Sequence, residues 1–267
     1  MERKKRTAPS IAAMKKAGEK VAVLTAYDYM TAKLVDAAGV DMILVGDSAA
    51  MVVLGHENTL PVTLDEMVML TAAVARARTA ALVVGDMPFM SYQASVSDAV
   101  RAAGRMVKEG GSGAVKLEGG RKVLTKIEGV LDAGIPVMGH IGLTPQSIHE
   151  LGGYRVQGKS DETRARLLDD ARALEETGCF SMVLEAIPWQ LGKDITEAVS
   201  IPTIGIGAGP HCDGQVLVIN DIIGYTDGPA ARFVRRYGDA GKVVSEAALG
   251  FVRDVKSGAY PDLDESY

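Results

Sequence analysis

Short apolar runs alternate with longer stretches of mixed apolar and polar residues along most of the chain. The runs at 21–25, 42–45, 81–85, 113–117, 135–139, 180–184 and 203–206 are rich in Val, Ile, Leu and Met. Most carry apolar residues at successive positions, the pattern of strands buried on both faces of a parallel sheet. An eighth run is predicted near 216–219 or just after it. The intervals read as helices over 64–78, 97–109, 121–133, 161–177 and 189–199. Thr63 followed three residues later by Glu66 is a capping box, and Gly110-Gly111, Gly134 and Gly178 are helix stops. Pro136 forbids continuation of the helix before it.

A strand every 20 to 40 residues or so, each followed by a helix, predicts a parallel α/β architecture. Seven or eight such units without a dinucleotide fingerprint predict a (β/α)8 TIM barrel rather than an open doubly wound sheet. No linker or composition shift divides residues 1–267, which read as a single barrel domain. A short helix from Ser10 precedes it. A mainly helical tail over 232–256 follows, ending in an acidic, Pro-containing terminus.

Composition narrows the partners. The 267 residues carry 29 basic and 34 acidic groups, a net charge of −5, so nothing favours nucleic acid or an anionic membrane. Cys179 and Cys212 make neither a disulfide framework nor a Cys-rich metal site, which points to a reducing cytoplasm. The basic start Met1-Glu2-Arg3-Lys4-Lys5-Arg6 is followed by no apolar h-region, and no segment approaches a transmembrane span.

The chemistry gathers at the ends of the runs. Val45-Gly46-Asp47-Ser48 and Val84-Gly85-Asp86 each end an apolar strand in Gly-Asp. The fourth run brings Lys116 and Glu118, the fifth His140 and the sixth Glu185. In a parallel barrel these positions share the C-terminal face, where such enzymes keep their chemistry. Lys116 and Glu118, two apart, project to the same side of a strand. A lysine among three carboxylates carries a heavy desolvation cost unless compensated, and a divalent cation with an anionic ligand compensates it. Asp47 and Asp86, on adjacent strands, suit Mg²⁺, which takes hard oxygens and keeps water or substrate oxygens in its other positions. Glu118 then holds a metal-bound water, and Lys116 is left for a substrate carboxylate. The alternative for the two aspartates is helix capping. Glu185 lies in an apolar stretch, Val183-Leu184-Glu185-Ala186-Ile187-Pro188, surroundings that raise a carboxyl pKa and make it a general base. Its alternative is a salt bridge to Lys or Arg.

His140 reads equally as a site-lining group or a hydrogen-bonded core residue. His56, His149 and His211 show no zinc-ligand spacing. Gly205-Ile206-Gly207-Ala208-Gly209 is GxGxG rather than GxGxxG, and reads as a tight turn more than a phosphate loop. The loop 55–63 is a candidate lid.

Together these segments resemble the ketopantoate hydroxymethyltransferase family. The resemblance is carried by Thr25-Ala26-Tyr27-Asp28, Val45-Gly46-Asp47-Ser48, Thr59-Leu60-Pro61-Val62-Thr63, Asp86-Met87-Pro88-Phe89 and Val115-Lys116-Leu117-Glu118-Gly119-Gly120. It continues through 139–146, 152–158, Leu184-Glu185 and 204–209, from about residue 10 to the C-terminus. It implies a (β/α)8 barrel, a Mg²⁺ ion and a homo-oligomer, decameric in bacterial members. The implied reaction moves a hydroxymethyl group from 5,10-methylenetetrahydrofolate to the 2-oxo acid 3-methyl-2-oxobutanoate, giving 2-dehydropantoate for pantothenate synthesis. By the same resemblance Asp47 and Asp86 bind the metal and Glu118 acts there. Asp47, Ser48, Asp86 and Lys116 contact the 2-oxo acid, and Glu185 accepts the proton.

There are departures. Ala49-Ala50-Met51 stands where the family has Leu-Gly-Met or similar, which alters the turn beside Ser48 if that position needs positive φ. Ala186 replaces a small residue that is often Cys, and 229–234 differs from a frequent His-Xaa-Pro-Lys-Phe-Val pattern. Two other readings compete. One is a relative of the phosphoenolpyruvate mutase and isocitrate lyase barrels, whose loop cysteine or phosphonate-handling residues are not seen here. The other is a catalytically idle barrel that serves in binding or assembly.

Overall fold

Eight parallel strands close on themselves in chain order, each hydrogen-bonded to the next and β8 to β1. The computed structural model describes residues 3–267. Met1 and Glu2, at the head of the basic segment, lie outside the described residues. The order is α1 (Ala8–Ala17), β1 (Val21–Thr25), α2 (Tyr29–Ala37), β2 (Met42–Val45), α3 (Ala49–Val52), α4 (Leu64–Ala75), β3 (Leu82–Asp86) and α5 (Val96–Lys108). Then come β4 (Ala114–Glu118), α6 (Leu124–Asp132), β5 (Val137–Gly142), α7 (Ile148–Leu151), α8 (Asp161–Thr177), β6 (Ser181–Glu185), α9 (Trp189–Ala198), β7 (Thr203–Ile206) and β8 (Gly214–Leu217). This is a (β/α)8 TIM barrel.

Contacts divide the described chain into two compact units, one running to Val218 and the other Ile219–Tyr267. The second unit holds the short α10 (Ile219–Ile222) and the long α11 (Ala240–Ser257). Asp239 caps α11 by accepting from Lys242 N, and Gly258 ends it in the left-handed region.

Alternation along the strands explains both the core and the site. One contiguous apolar cluster takes Val21 and Val23, Met42 and Leu44, Leu82 and Val84, Ala114, Met138, Val183, Ile204 and Val216. These are every-second-residue positions, so they share the barrel interior. Ala8, Ile11 and Met14 of α1 join the same cluster and pack against it. Continuing each strand two or four residues beyond its apolar positions reaches Asp86, Lys116, Glu118, His140 and Glu185. The intervening Ile43, Val45, Val115, Leu117, Met182 and Leu184 are fully buried on the opposite face.

Helix ends follow the local signals. Thr63 and Glu66 form the reciprocal capping box, and Gly178 ends α8 with positive φ. Some bounds differ from those predicted. α4 stops at Ala75, and Arg78 takes a positive φ of 51°. Residues 121–123 form a 3₁₀ turn before α6. β8 starts two residues before the predicted run, because Val21 N pairs with Asp213 O and draws Gly214 into register with Val21. The tail helix starts at Ala240, not near residue 232. No helix among the described residues is long and apolar enough to cross a membrane.

Candidate active site

Strand register brings the polar side chains together. Asp86 on β3 lies opposite Lys116 on β4, Glu118 opposite His140 on β5, and Gly142 opposite Glu185 on β6. Asp47 follows β2, and its backbone N donates to Asp86 Oδ2 at 3.2 Å. Lys116 Nζ lies 2.9 Å from Asp86 Oδ1, 3.6 Å from Glu118 Oε1 and 3.0 Å from His140 Nδ1. Lys116 is therefore held among Asp86, Glu118 and His140.

Burial decides the electrostatics, since all five of Asp47, Asp86, Lys116, Glu118 and His140 are at most 5% exposed. Burial first, then repulsion from Asp86 and Glu118, pushes the Asp47 carboxyl well above the usual carboxylate range. Burial also raises Asp86, with Lys116 opposing it. For Glu118 burial acts upward too, but His140 and Lys116 outweigh it and hold the carboxyl low. Burial lowers the Lys116 pKa, yet Asp86, Glu118 and Asp47 together leave it raised. Burial and the Lys116 charge lower His140, but Glu118 and Glu185 push it up to about 9. Its Nδ1 faces both Lys116 and, at 3.4 Å, Glu118 Oε1. A neutral ring accepts from Lys116, and a protonated ring donates to Glu118; the flanking carboxylates favour the second.

With Lys116 and His140 charged, four carboxylates face two cations. Asp86 Oδ1 and Glu118 Oε1 are buried without a hydrogen bond of good geometry. Among the described residues no three His, Cys, Asp or Glu side chains form a ready-made metal cage. Two carboxylates on neighbouring strands with uncompensated charge nevertheless fit Mg²⁺, which is commonly held by one or two carboxylates with water and substrate completing its shell.

Glu185 is not alone among apolar neighbours. Its Oε2 lies 3.2 Å from His140 Nε2, so its ionic partner is a histidine and neither a lysine nor an arginine. His140 thus joins Glu118 to Glu185 across β5. Two backbone features hold this corner. Gly142 has φ of 98°, and a Cβ there would stand 2.2 Å from Glu185 O. Ala186 sits at φ 46°, a left-handed conformation that costs a non-glycine residue about 1 kcal/mol. It is retained by Ala186 N donating to Ile206 O and Gln157 N donating to Ala186 O.

Sequence reasoning missed the residue that ties the site together. Gln146, 5% exposed, donates from Nε2 to Asp47 Oδ2 and to Met87 O, both at 2.9 Å. Its backbone N donates to Glu118 Oε2 at 3.0 Å. Its Oε1 accepts from Tyr92 OH at 2.8 Å and Gln93 Nε2 at 3.0 Å. Tyr92 OH in turn accepts from Glu118 N. Gln146 stood in the quoted 139–146 motif, but only the fold shows that it reaches Asp47, 99 positions away. Tyr27, likewise in a quoted motif, places its hydroxyl 2.8 Å from Ser48 Oγ.

The Ala49-Ala50 departure is harmless to the backbone. Ser48 has φ of −52°, and Ala49 and Ala50 lie fully buried in right-handed α3, so no positive φ is required there. The GxGxG segment is a tight turn: Gly209 has φ of 86°, and a Cβ would stand 2.4 Å from Trp189 Cβ. The loop 55–63 is packed down through buried Val62 and Thr59.

A closed barrel whose strand ends gather buried carboxylates, a lysine and a histidine defines a TIM-barrel enzyme working at its C-terminal rim. A family model described as ketopantoate hydroxymethyltransferase matches residues 5–263. The 3-methyl-2-oxobutanoate hydroxymethyltransferase of Geobacter metallireducens is 57% identical, over 99% of this chain and 99% of the relative. That of Geobacter sulfurreducens is 56% identical, over 98% of each. The chain belongs to the ketopantoate hydroxymethyltransferase family, a family of transferases. Among solved structures it is similar to 2,3-dimethylmalate lyase, a PEP mutase/isocitrate lyase superfamily member, with a TM-score of 0.60 and 15% identity, covering 97% of this chain and 91% of that one. That likeness is one of fold.

Proposed function

We propose that this enzyme transfers a hydroxymethyl group from 5,10-methylenetetrahydrofolate to 3-methyl-2-oxobutanoate. The product is 2-dehydropantoate, for pantothenate and coenzyme A synthesis, and the metal is Mg²⁺. The observation that carries the reading is the buried Asp47–Asp86 pair, short of positive charge, with Lys116 beside it and the Glu185–His140 pair across the same strand ends. An α-keto acid with a proton to lose at C3 needs that combination. The names of relatives that match nearly the whole chain support the same substrate.

Asp47 and Asp86 would hold the metal, with Glu118 acting at the same site through a water. When bound, Mg²⁺ supplies Lewis acidity at the keto oxygen. Lys116 and Ser48 contact the acid, Lys116 from within its ion pairs and Ser48 through a hydroxyl oriented by Tyr27. Glu185 removes the C3 proton, and His140 fixes the carboxylate that takes it. The C3 carbon bonds to the one-carbon unit, whose two bonds to the folate nitrogens break; water supplies the hydroxyl, and the water proton and the C3 proton end on the nitrogens of the departing tetrahydrofolate. The enzyme would work as a homo-oligomer, decameric by family resemblance, in the cytoplasm; light scattering reads its size.

Glu185→Gln tests the assignment. It should suppress deuterium exchange at C3 of the keto acid about 100-fold or more, the usual scale for losing a general base. Mg²⁺-dependent keto-acid binding should survive. Undiminished exchange would remove Glu185 from the role.

A further inference from the structure

Beside the catalytic strand ends lies a cavity of about 420 Å³ formed by the segments after β2, β3, β4 and β5. It is of the size small-molecule sites take, and apart from Glu118 at its inner edge none of the chemistry above uses it. Leu60, Phe89 and Val123 supply apolar surface, and Phe89 remains 38% exposed. Gln93 lines the same space, as do Lys122 and Lys126. Lys122 stands on the 3₁₀ turn before α6 and Lys126 on the first turn of α6, and both line the groove.

The inner wall of this groove is Gln146. On the groove side its Oε1 accepts from Tyr92 and Gln93, and on the other side its Nε2 donates to Asp47. Glu118 lines the groove itself, and Gln146 bridges from the groove to Asp47. A ligand lying in the groove and crossing Gln146 arrives over Asp47.

We infer that this groove receives the p-aminobenzoyl-glutamate tail of the folate donor, an inference that rests on the donor assigned under Proposed function. The aromatic ring of the tail meets Leu60, Phe89 and Val123. Its carboxylates, and those of further γ-linked glutamates, meet Lys126 and Lys122. The pterin end, which carries the one-carbon unit, is thereby directed inward across Gln146. Glu150 at the rim pairs with Lys122 at 2.8 Å and competes with the incoming carboxylates.

Steady-state KM values for mono- and triglutamyl 5,10-methylenetetrahydrofolate test this on the full-length enzyme. The wild type should favour the triglutamyl donor. Lys126→Glu, and more strongly Lys122→Glu with Lys126→Glu, should raise its KM about fivefold or more at low ionic strength, shrinking as salt is added. Glu150→Gln should lower that KM, an opposite sign that general damage would not produce. The KM for 3-methyl-2-oxobutanoate should stay constant throughout, and Lys108→Glu on the exposed end of α5 should leave the donor KM unmoved. An unchanged donor KM in the double variant would overturn the groove assignment, as would an equal rise in both substrates' KM values. A wild type that turns over no reduced folate would overturn the donor reading itself, and the groove with it.

Discussion

Removing the Gln146 side chain is the sharpest test of how this site is held. Gln146→Ala deletes two donated bonds, one to the Asp47 carboxyl and one to the Met87 carbonyl, and two accepted ones from Tyr92 and Gln93. A hydrogen bond to a charged group is worth about 1.5–3 kcal/mol and a neutral one about 1 kcal/mol. Water admitted to the space recovers part of that sum, leaving an expected loss of about 2–4 kcal/mol. For a chain of this size that is a Tm lower by about 4–16 °C. The Gln146 bond also helps hold the Asp47 carboxyl down, so its loss makes Asp47 a poorer anion. Supporting side chains of this kind typically contribute 10- to 100-fold in metal affinity. Calorimetric unfolding reads the first number, and the Mg²⁺ dependence of C3 exchange reads the second. The backbone bond from Gln146 N to Glu118 should persist, so the fold should survive. A Tm within about 1 °C of wild type, with unchanged Mg²⁺ dependence, would refute the argument.

Two further outcomes follow from the same geometry. Asp47 has a folded-state pKa raised above its unfolded value, so its ionisation weakens the fold as pH rises through the window between them. In chelator, Asp47→Asn should therefore be more thermostable than wild type at pH 8, with an advantage that shrinks as pH falls toward about 4; melting curves across that range check it, and a pH-independent difference would contradict it. Gly142→Ala places a Cβ 2.2 Å from Glu185 O, at φ of 98°, where the last residues of β5 and β6 pair. It should cost about 3 kcal/mol or more and separate β5 from β6 at the C-terminal rim, which denaturant unfolding measures; a cost below about 1 kcal/mol would contradict the packing.

The family and its rivals separate on different kinds of observation. The barrel is shared with a lyase of the PEP mutase/isocitrate lyase superfamily at 15% identity, so fold alone leaves the chemistry open. Sequence identity above half over the whole chain is what assigns the family.

The strands and the acids at their ends were legible in the chain because both are local. The run 42–45 is apolar at every position, and period-two spacing alone puts Lys116 and Glu118 on one side. The capping box at Thr63 and the glycine stop at Gly178 are equally local signals. What the linear order does not contain is distance across the barrel. That Glu185 is paired with His140, that Lys116 is shared among Asp86, Glu118 and His140, and that Gln146 grips Asp47 all depend on shear and closure of the sheet. The sequence by itself determined a (β/α)8 barrel and the residue types at its rim, because strand periodicity and helix capping act over a few residues. Only the tertiary structure decided which of those groups are charged, paired and held. Burial and long-range neighbours set those properties, and they exist only once the barrel is closed.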